Sequence, residues 1–260
     1  MNSRKAPFPS RFSGRTVAIT GSAQGLGFAM AHRFAAEGAS LAMIDVNPDT
    51  LAASAAALRE AHNVPVAHTV VDVTDSAQVS EWITATERQF GAVDVLVNNA
   101  GIIRDNRVEN ISDDDWRSVI DVSLTGAFNC ARAAFPGMRE RKYGRIISFS
   151  SMSWRGNFGQ ANYVAAKAGI VGLTRALALE GARDGVTVNA IAPGLIETPM
   201  LASMNDAARD VLTRKVPMRH TGDPSDIAEG AAFLASEAAG YVTGVVLDID
   251  GGISIGSSIR

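Results

Sequence analysis

The chain has one cysteine, Cys130, in 260 residues, so no internal disulfide can form. That fits a reducing compartment and makes a cytoplasmic location the expectation. It has no basic excess either. The formal net charge is −3, which argues against a nucleic-acid or anionic-membrane partner. No apolar run approaches the ~20 residues of a membrane span. The opening MNSRKAPFPSRFSG has cations and prolines but no apolar core, which excludes a secretory signal and suggests a flexible arm over 1–13. The four histidines, His32, His62, His68 and His220, are scattered without metal-ligand spacing, so no metal site is expected. No linker, low-complexity tract or internal repeat divides the remainder.

What is present suits one α/β domain over 14–260: 47% hydrophobic and 20% charged residues, enough to bury a sizeable core. RTVAIT (15–20), SLAMID (40–45), VPVAHTVV (64–71), VDVLV (93–97), GRIISFS (144–150), GVTVNAIA (185–192) and GVVLDID (244–250) read as strands, several of them apolar throughout, as strands covered on both faces are. Alanine-rich helical stretches lie between them. Asn47–Pro48 and Asp223–Pro224 read as helix caps with proline at the first helical position. Ser112 with Asp115 resembles a capping box. The cationic MRERKYGR (138–145) suits the end of a long helix, with Gly144 following. Alternating strand and helix implies a doubly wound parallel sheet of about seven strands with helices on both faces.

Directly after the first strand stands TGSAQGLG (20–27). Gly21, Gly25 and Gly27 permit a tight turn, and with Gln24 and Leu26 they place backbone amides at a helix start, where a phosphate binds. The spacing GxxxGxG departs from GxGxxG, so the strand before and the helix after carry the inference. Asp45 lies 18 residues beyond Gly27, at the end of the second strand. An acid so placed accepts hydrogen bonds from a ribose hydroxyl and repels a 2′-phosphate. NAD is therefore the expected cofactor.

Tyr163 and Lys167, four residues apart, share a helix face. A free phenol, with a pKa of about 10, is a poor base near neutrality. A neighbouring ammonium is expected to lower that value. TGSAQGLG (20–27), DV (72–73), NNAG (98–101), SS (150–151), YVAAK (163–167) and NAIAPGLIETPM (189–200), in that order, make the chain resemble the short-chain dehydrogenase/reductase family, with its Rossmann-type fold. The resemblance covers about residues 14–252. It implies hydride transfer between NAD(H) and a secondary alcohol/ketone pair. Tyr163 would be the general acid/base, Lys167 its partner and a ligand of the nicotinamide ribose, and Ser151 the holder of the substrate oxygen. Counting from GRII selects Ser151, whereas some relatives space the serine and tyrosine so as to select Ser150. The resemblance also implies that Asp72 and Val73 border the adenine, that Asn99 and Ala100 line the cleft, and that Pro193, Ile196 and Thr198 hold the carboxamide. A homotetramer or dimer would form through helices near 112–138 and 160–182. Ser123 stands where the family usually has asparagine.

Residues 195–222 are expected to form a substrate lid. Leu195, Met200, Leu201 and Met204, with Trp154 and Phe158, either line an apolar pocket or pack the lid. Arg155 either meets an acidic substrate or is solvated. Two alternatives accompany the leading one: an NADPH-dependent 3-oxoacyl-carrier-protein reductase, and a non-catalytic nucleotide sensor or scaffold.

Overall fold

The aliphatic runs at the centre of the sheet become strands because both of their faces find apolar cover, whereas the edge strands Val66–Val70 and Val246–Ile249 are only partly covered. The computed structural model describes residues 10–197, 201 and 205–256. Its strands are β1 (Thr16–Thr20), β2 (Ser40–Asp45), β3 (Val66–Val70), β4 (Val95–Asn98), β5 (Gly144–Phe149), β6 (Val186–Pro193) and β7 (Val246–Ile249). They form one sheet in the order β3-β2-β1-β4-β5-β6-β7, with every pair parallel. The α-helices are α1 (Gly25–Ala36), α2 (Pro48–His62), α3 (Ser76–Phe90), α4 (Asp113–Ile120), α5 (Gly126–Glu140), α6 (Ala161–Gly181), α7 (Asp206–Thr213) and α8 (Pro224–Ala235). A π-helical turn, Asp121–Thr125, joins α4 to α5. None of the helices among the described residues is long and apolar enough to cross a membrane.

Successive strand residues face opposite sides. Val17 and Ile19 pack with Met30 and Phe34 of α1, Leu51 and Leu58 of α2, and Ile227 of α8. Ala18, between them, packs with Trp82 of α3, Cys130 and Met138 of α5, and Ala178 of α6. Burial pushes the Cys130 thiol up to about 12, so it serves as a small core residue and not as a nucleophile.

Some local expectations change once the chain is folded. Phe12, assigned to the flexible arm, is 1% exposed and edge-on to Phe34. The Phe12 amide donates to the Glu37 carbonyl, and the buried Glu37 carboxylate pairs with Arg11 and Arg33, so the domain includes this stretch. Asn47 caps α2 through the Thr50 amide, 3.1 Å away. Ser112 accepts from the Asp115 amide at 3.0 Å, but the Asp115 carboxylate accepts from the Ser112 hydroxyl and not from its backbone. The reciprocal box forms instead at Asp223 and Asp226. Gly144, following the cationic end of α5, opens β5 as the strand expected from residue 144 does, and Arg145 behind it is buried against the carbonyls of Ser236 and Gly185.

Candidate active site

β1 has β2 on one side and β4 on the other, so the chain reverses direction across the sheet between β1 and β4. The carboxyl ends of strands at such a point flank a crevice. On the β1 side, Gly21 and Gly25 have φ of +60° and +58°, a region that L side chains rarely adopt. A Cβ on Gly27 would collide with the Gly21 carbonyl, so only glycine lets the helix start approach the turn this closely. Gln24 precedes α1 without capping it through its side chain, which leaves the first amides of the helix for an anion. These are features a dinucleotide diphosphate fits.

Asp45 occupies the end of β2. Its carboxylate accepts from the Ala23 amide in the glycine turn and from the Asn47 amide, both at 3.1 Å. Those bonds fix a negative charge where the second strand meets the turn. Across the crevice, Asn99 supports the turn from below, donating to the carbonyls of Thr20 and Gly21 at 3.1 and 2.8 Å. The Asn99 and Ala100 amides donate to the Thr20 hydroxyl. Asp72 accepts from the amide and hydroxyl of Thr74. Val73 is buried, with its carbonyl bonded to Asn129 and its side chain where a Cβ on Gly126 would lie.

β5 delivers both serines, and they separate. Ser150, 3% exposed, donates to the Lys167 carbonyl at 2.9 Å. Ser151 caps the 3-10 turn Met152–Arg155 and presents its hydroxyl to Tyr163. Ser150 is therefore part of the strand-to-helix packing, and Ser151 is the serine at the phenol. Lys167 lies one turn along α6, its Nζ 5.5 Å from the centre of the Tyr163 ring.

The expected lowering of the tyrosine pKa by the lysine is not what the structure has. Tyr163 lies above the ordinary phenol range: burial raises it, the Ser151 hydroxyl draws it down, and the Asp105 carboxylate adds to the rise. The Lys167 ammonium is turned to the Phe149 carbonyl, 2.7 Å away, and burial lowers its own pKa to about 8. Ser123 sits buried in the π-helical turn, and its hydroxyl and Lys167 Nζ both crowd the space a Cβ on Gly101 would take.

β6 ends at Pro193, and Gly194 packs its Cα against Asp250, where a Cβ would lie 2.5 Å from the Asp250 Cα. Ile196 bridges to Gly222: the Gly222 amide donates to Leu195 and the Glu197 amide donates to Gly222. In extended backbone that pattern turns the Ile196 amide and carbonyl the other way. Thr198, Met200 and Met204 lie outside the described residues. Glu197 ties the ends of the expected lid together, accepting from Thr221 and from Arg209 of α7.

Arg155 is exposed, as a solvated loop arginine would be, but it is also paired. It grips Asp248 of β7 with two bonds, at 3.1 and 2.7 Å, and stacks on Trp154. Phe158 is 83% exposed and lines an open cavity of about 530 Å³ with Val108 and Val164. Sequence reasoning also missed that His32 and His62, on α1 and α2, meet edge to face at 4.5 Å. It gave no role to Asp105 or Asn162. An asparagine directly before the tyrosine was the available signal for the second.

The family model described as Enoyl-(Acyl carrier protein) reductase matches residues 21–254. The 3-oxoacyl-acyl-carrier-protein reductase FabG of Thermotoga maritima is 40% identical over 248 residues, 94% of this chain and 100% of its own. The acetoacetyl-CoA reductase of Allochromatium vinosum is 40% identical over 242 residues, 92% of this chain and 98% of its own. Among solved structures, levodione reductase superposes with a TM-score of 0.91 at 41% identity, covering 94% of this chain and 99% of that one. With the parallel sheet, the glycine turn and the Ser151–Tyr163–Lys167 arrangement described above, these likenesses establish that the chain belongs to the short-chain dehydrogenase/reductase family of oxidoreductases.

Proposed function

We propose that this oxidoreductase is NAD(H)-linked and interconverts a ketone and a secondary alcohol, with Tyr163 as the general acid/base. The observation that carries the cofactor choice is Asp45. Its carboxylate is held by two backbone amides beside the glycine turn. Neither 20–27 nor 45–50 contains a lysine or arginine to offset that charge. A ribose hydroxyl finds an acceptor there, and a 2′-phosphate meets like charge. Gly21, Gln24, Gly25, Leu26 and Gly27 would take the diphosphate, Asp72 and Val73 the adenine, Asn99 and Ala100 the cleft wall, and Pro193, Ile196 and Thr198 the carboxamide.

The bound nicotinamide supplies or accepts the hydride. The chain's own residues handle the proton. Tyr163, held in its neutral form well above neutrality, donates a proton to the carbonyl oxygen, and Ser151 donates a hydrogen bond to the same oxygen. Lys167, its pKa near 8, lies one helical turn away with its Nζ 5.5 Å from the ring centre, and would take part in returning that proton. Reduction consumes a proton and oxidation releases one, so alkaline pH favours oxidation, and the direction otherwise depends on the cofactor ratio and the substrate. The substrate class is a 3-oxoacyl thioester, the chemistry in the names of the Thermotoga and Allochromatium relatives. Exposed Trp116, Phe128 and Leu179, on α4, α5 and α6, support assembly into a dimer or tetramer through these helices.

The second reading, an NADPH-dependent 3-oxoacyl-carrier-protein reductase, draws on the likeness to the Thermotoga protein. Fluorescence titration with NADH and NADPH separates the two, and tighter NADPH binding overturns the assignment. A non-catalytic sensor is excluded by turnover on a panel of ketones that Tyr163→Phe abolishes.

A further inference from the structure

Asn162 is fully buried, at 0% exposure, in the first turn of α6. A buried side-chain amide demands partners for both its ends. Its Nδ2 donates to the Arg104 carbonyl at 3.0 Å, and its Oδ1 accepts from the Tyr163 amide at 2.8 Å. The Tyr163 amide is one of the donors that a helix start leaves without an intrahelical acceptor. Gln160, in the cap position, makes no side-chain cap, so Asn162 does that work from inside the helix.

The carbonyl at its other end belongs to the segment that leaves β4 through Asn99, Ala100 and Gly101. This segment is tied to the start of α6 at two further points: the Asn106 amide donates to Gly159 at 2.9 Å, and Gln160 Nε2 donates to Asp105 at 2.7 Å. Each of those has an exposed partner, Asn106 or Asp105, and a half-buried one, Gly159 or Gln160. Asn162 alone makes the tie from the interior while also holding the backbone of the tyrosine.

We propose that Asn162 is a positioning residue for Tyr163, locking the segment after β4 to the first turn of α6 so that the phenol is held at a fixed place beside Ser151. This rests on the reading of Tyr163 as the proton donor. Displacing a reacting group by about 1 Å costs up to about a hundredfold in rate, whereas the glycine turn that would bind cofactor is on the other side of the crevice.

The test compares the full-length parent with Asn162→Ala and Asn162→Ser. For Asn162→Ala, kcat falls about tenfold or more while the dissociation constant for NADH stays within about twofold. Asn162→Ser, able to make one of the two bonds, falls between. Hydrogen exchange at the Tyr163 amide, which needs no turnover, becomes about tenfold faster or more in Asn162→Ala because its acceptor is gone. Unchanged exchange, unchanged kcat, or a proportional loss of kcat and NADH affinity overturns the proposal. Should Asn162→Ala fail to fold, Gln160→Ala releases the exposed tie. A smaller loss confined to kcat supports the proposal, and no loss overturns it. A parent without turnover on any ketone sinks the reading of Tyr163 instead, and the exchange result still decides whether Asn162 holds its backbone.

Discussion

Lys167 donates its 2.7 Å hydrogen bond to the carbonyl of Phe149, the last residue of β5, while its Nζ lies 5.5 Å from the Tyr163 ring centre. The lysine therefore joins the strand that carries the serine to the helix that carries the tyrosine. Its burial has a cost that depends on pH.

Lys167 titrates near 8 in the folded chain against 10.5 ordinarily. The unfolded chain binds the extra proton between those values, so this residue's contribution to stability rises as pH climbs from about 8 to about 10.5 and is constant below. Lys167→Met removes that dependence. Thermal unfolding at stepped pH will show the parent gaining on the variant across this window. A parallel pair of curves contradicts the prediction.

The two serines will separate by phenotype. Ser151→Ala and Tyr163→Phe each lower kcat, the latter by about 10²–10⁴, with NADH binding retained. Ser150→Ala removes a buried hydrogen bond and costs about 1 kcal/mol of stability, with the smaller effect on rate. Steady-state kinetics beside denaturant unfolding distinguish these outcomes. A larger kcat loss in Ser150→Ala reverses the assignment.

At the end of β2, Asp45→Ser removes the negative charge held by Ala23 and Asn47. NADH affinity drops about tenfold, the loss of a hydrogen bond to a charged group, and the ratio of NADH to NADPH affinity falls with it. Titration of both cofactors against parent and variant checks this. An unaltered ratio places the ribose elsewhere.

His32 and His62 are both lowered from their ordinary value by burial, His62 also by the neighbouring His32, and the buried His62 Nε2 has no hydrogen-bond partner among the described residues. Lowered histidine pKa values favour the neutral forms in the fold. The stability they contribute is complete above about 6.5 and is lost as pH falls below it. His62→Gln will show a shallower acid limb than the parent in urea unfolding between pH 7 and pH 5, and an identical limb refutes the pairing.

The strands, the caps at Asn47 and Asp223, the glycine turn and the Tyr163–Lys167 spacing were all legible in the sequence. Each depends on residues within a turn or two of one another, and local periodicity encodes such relationships. Only the tertiary structure decided which of two adjacent serines meets the phenol, because neighbouring residues at a strand end face opposite ways. It turned Lys167 toward Phe149, brought His32 to His62 and sealed Asn162 against Arg104. Those contacts join stretches that periodicity treats separately, and burial, which sets the pKa values of Tyr163 and Lys167, exists only once the layers have closed over the sheet.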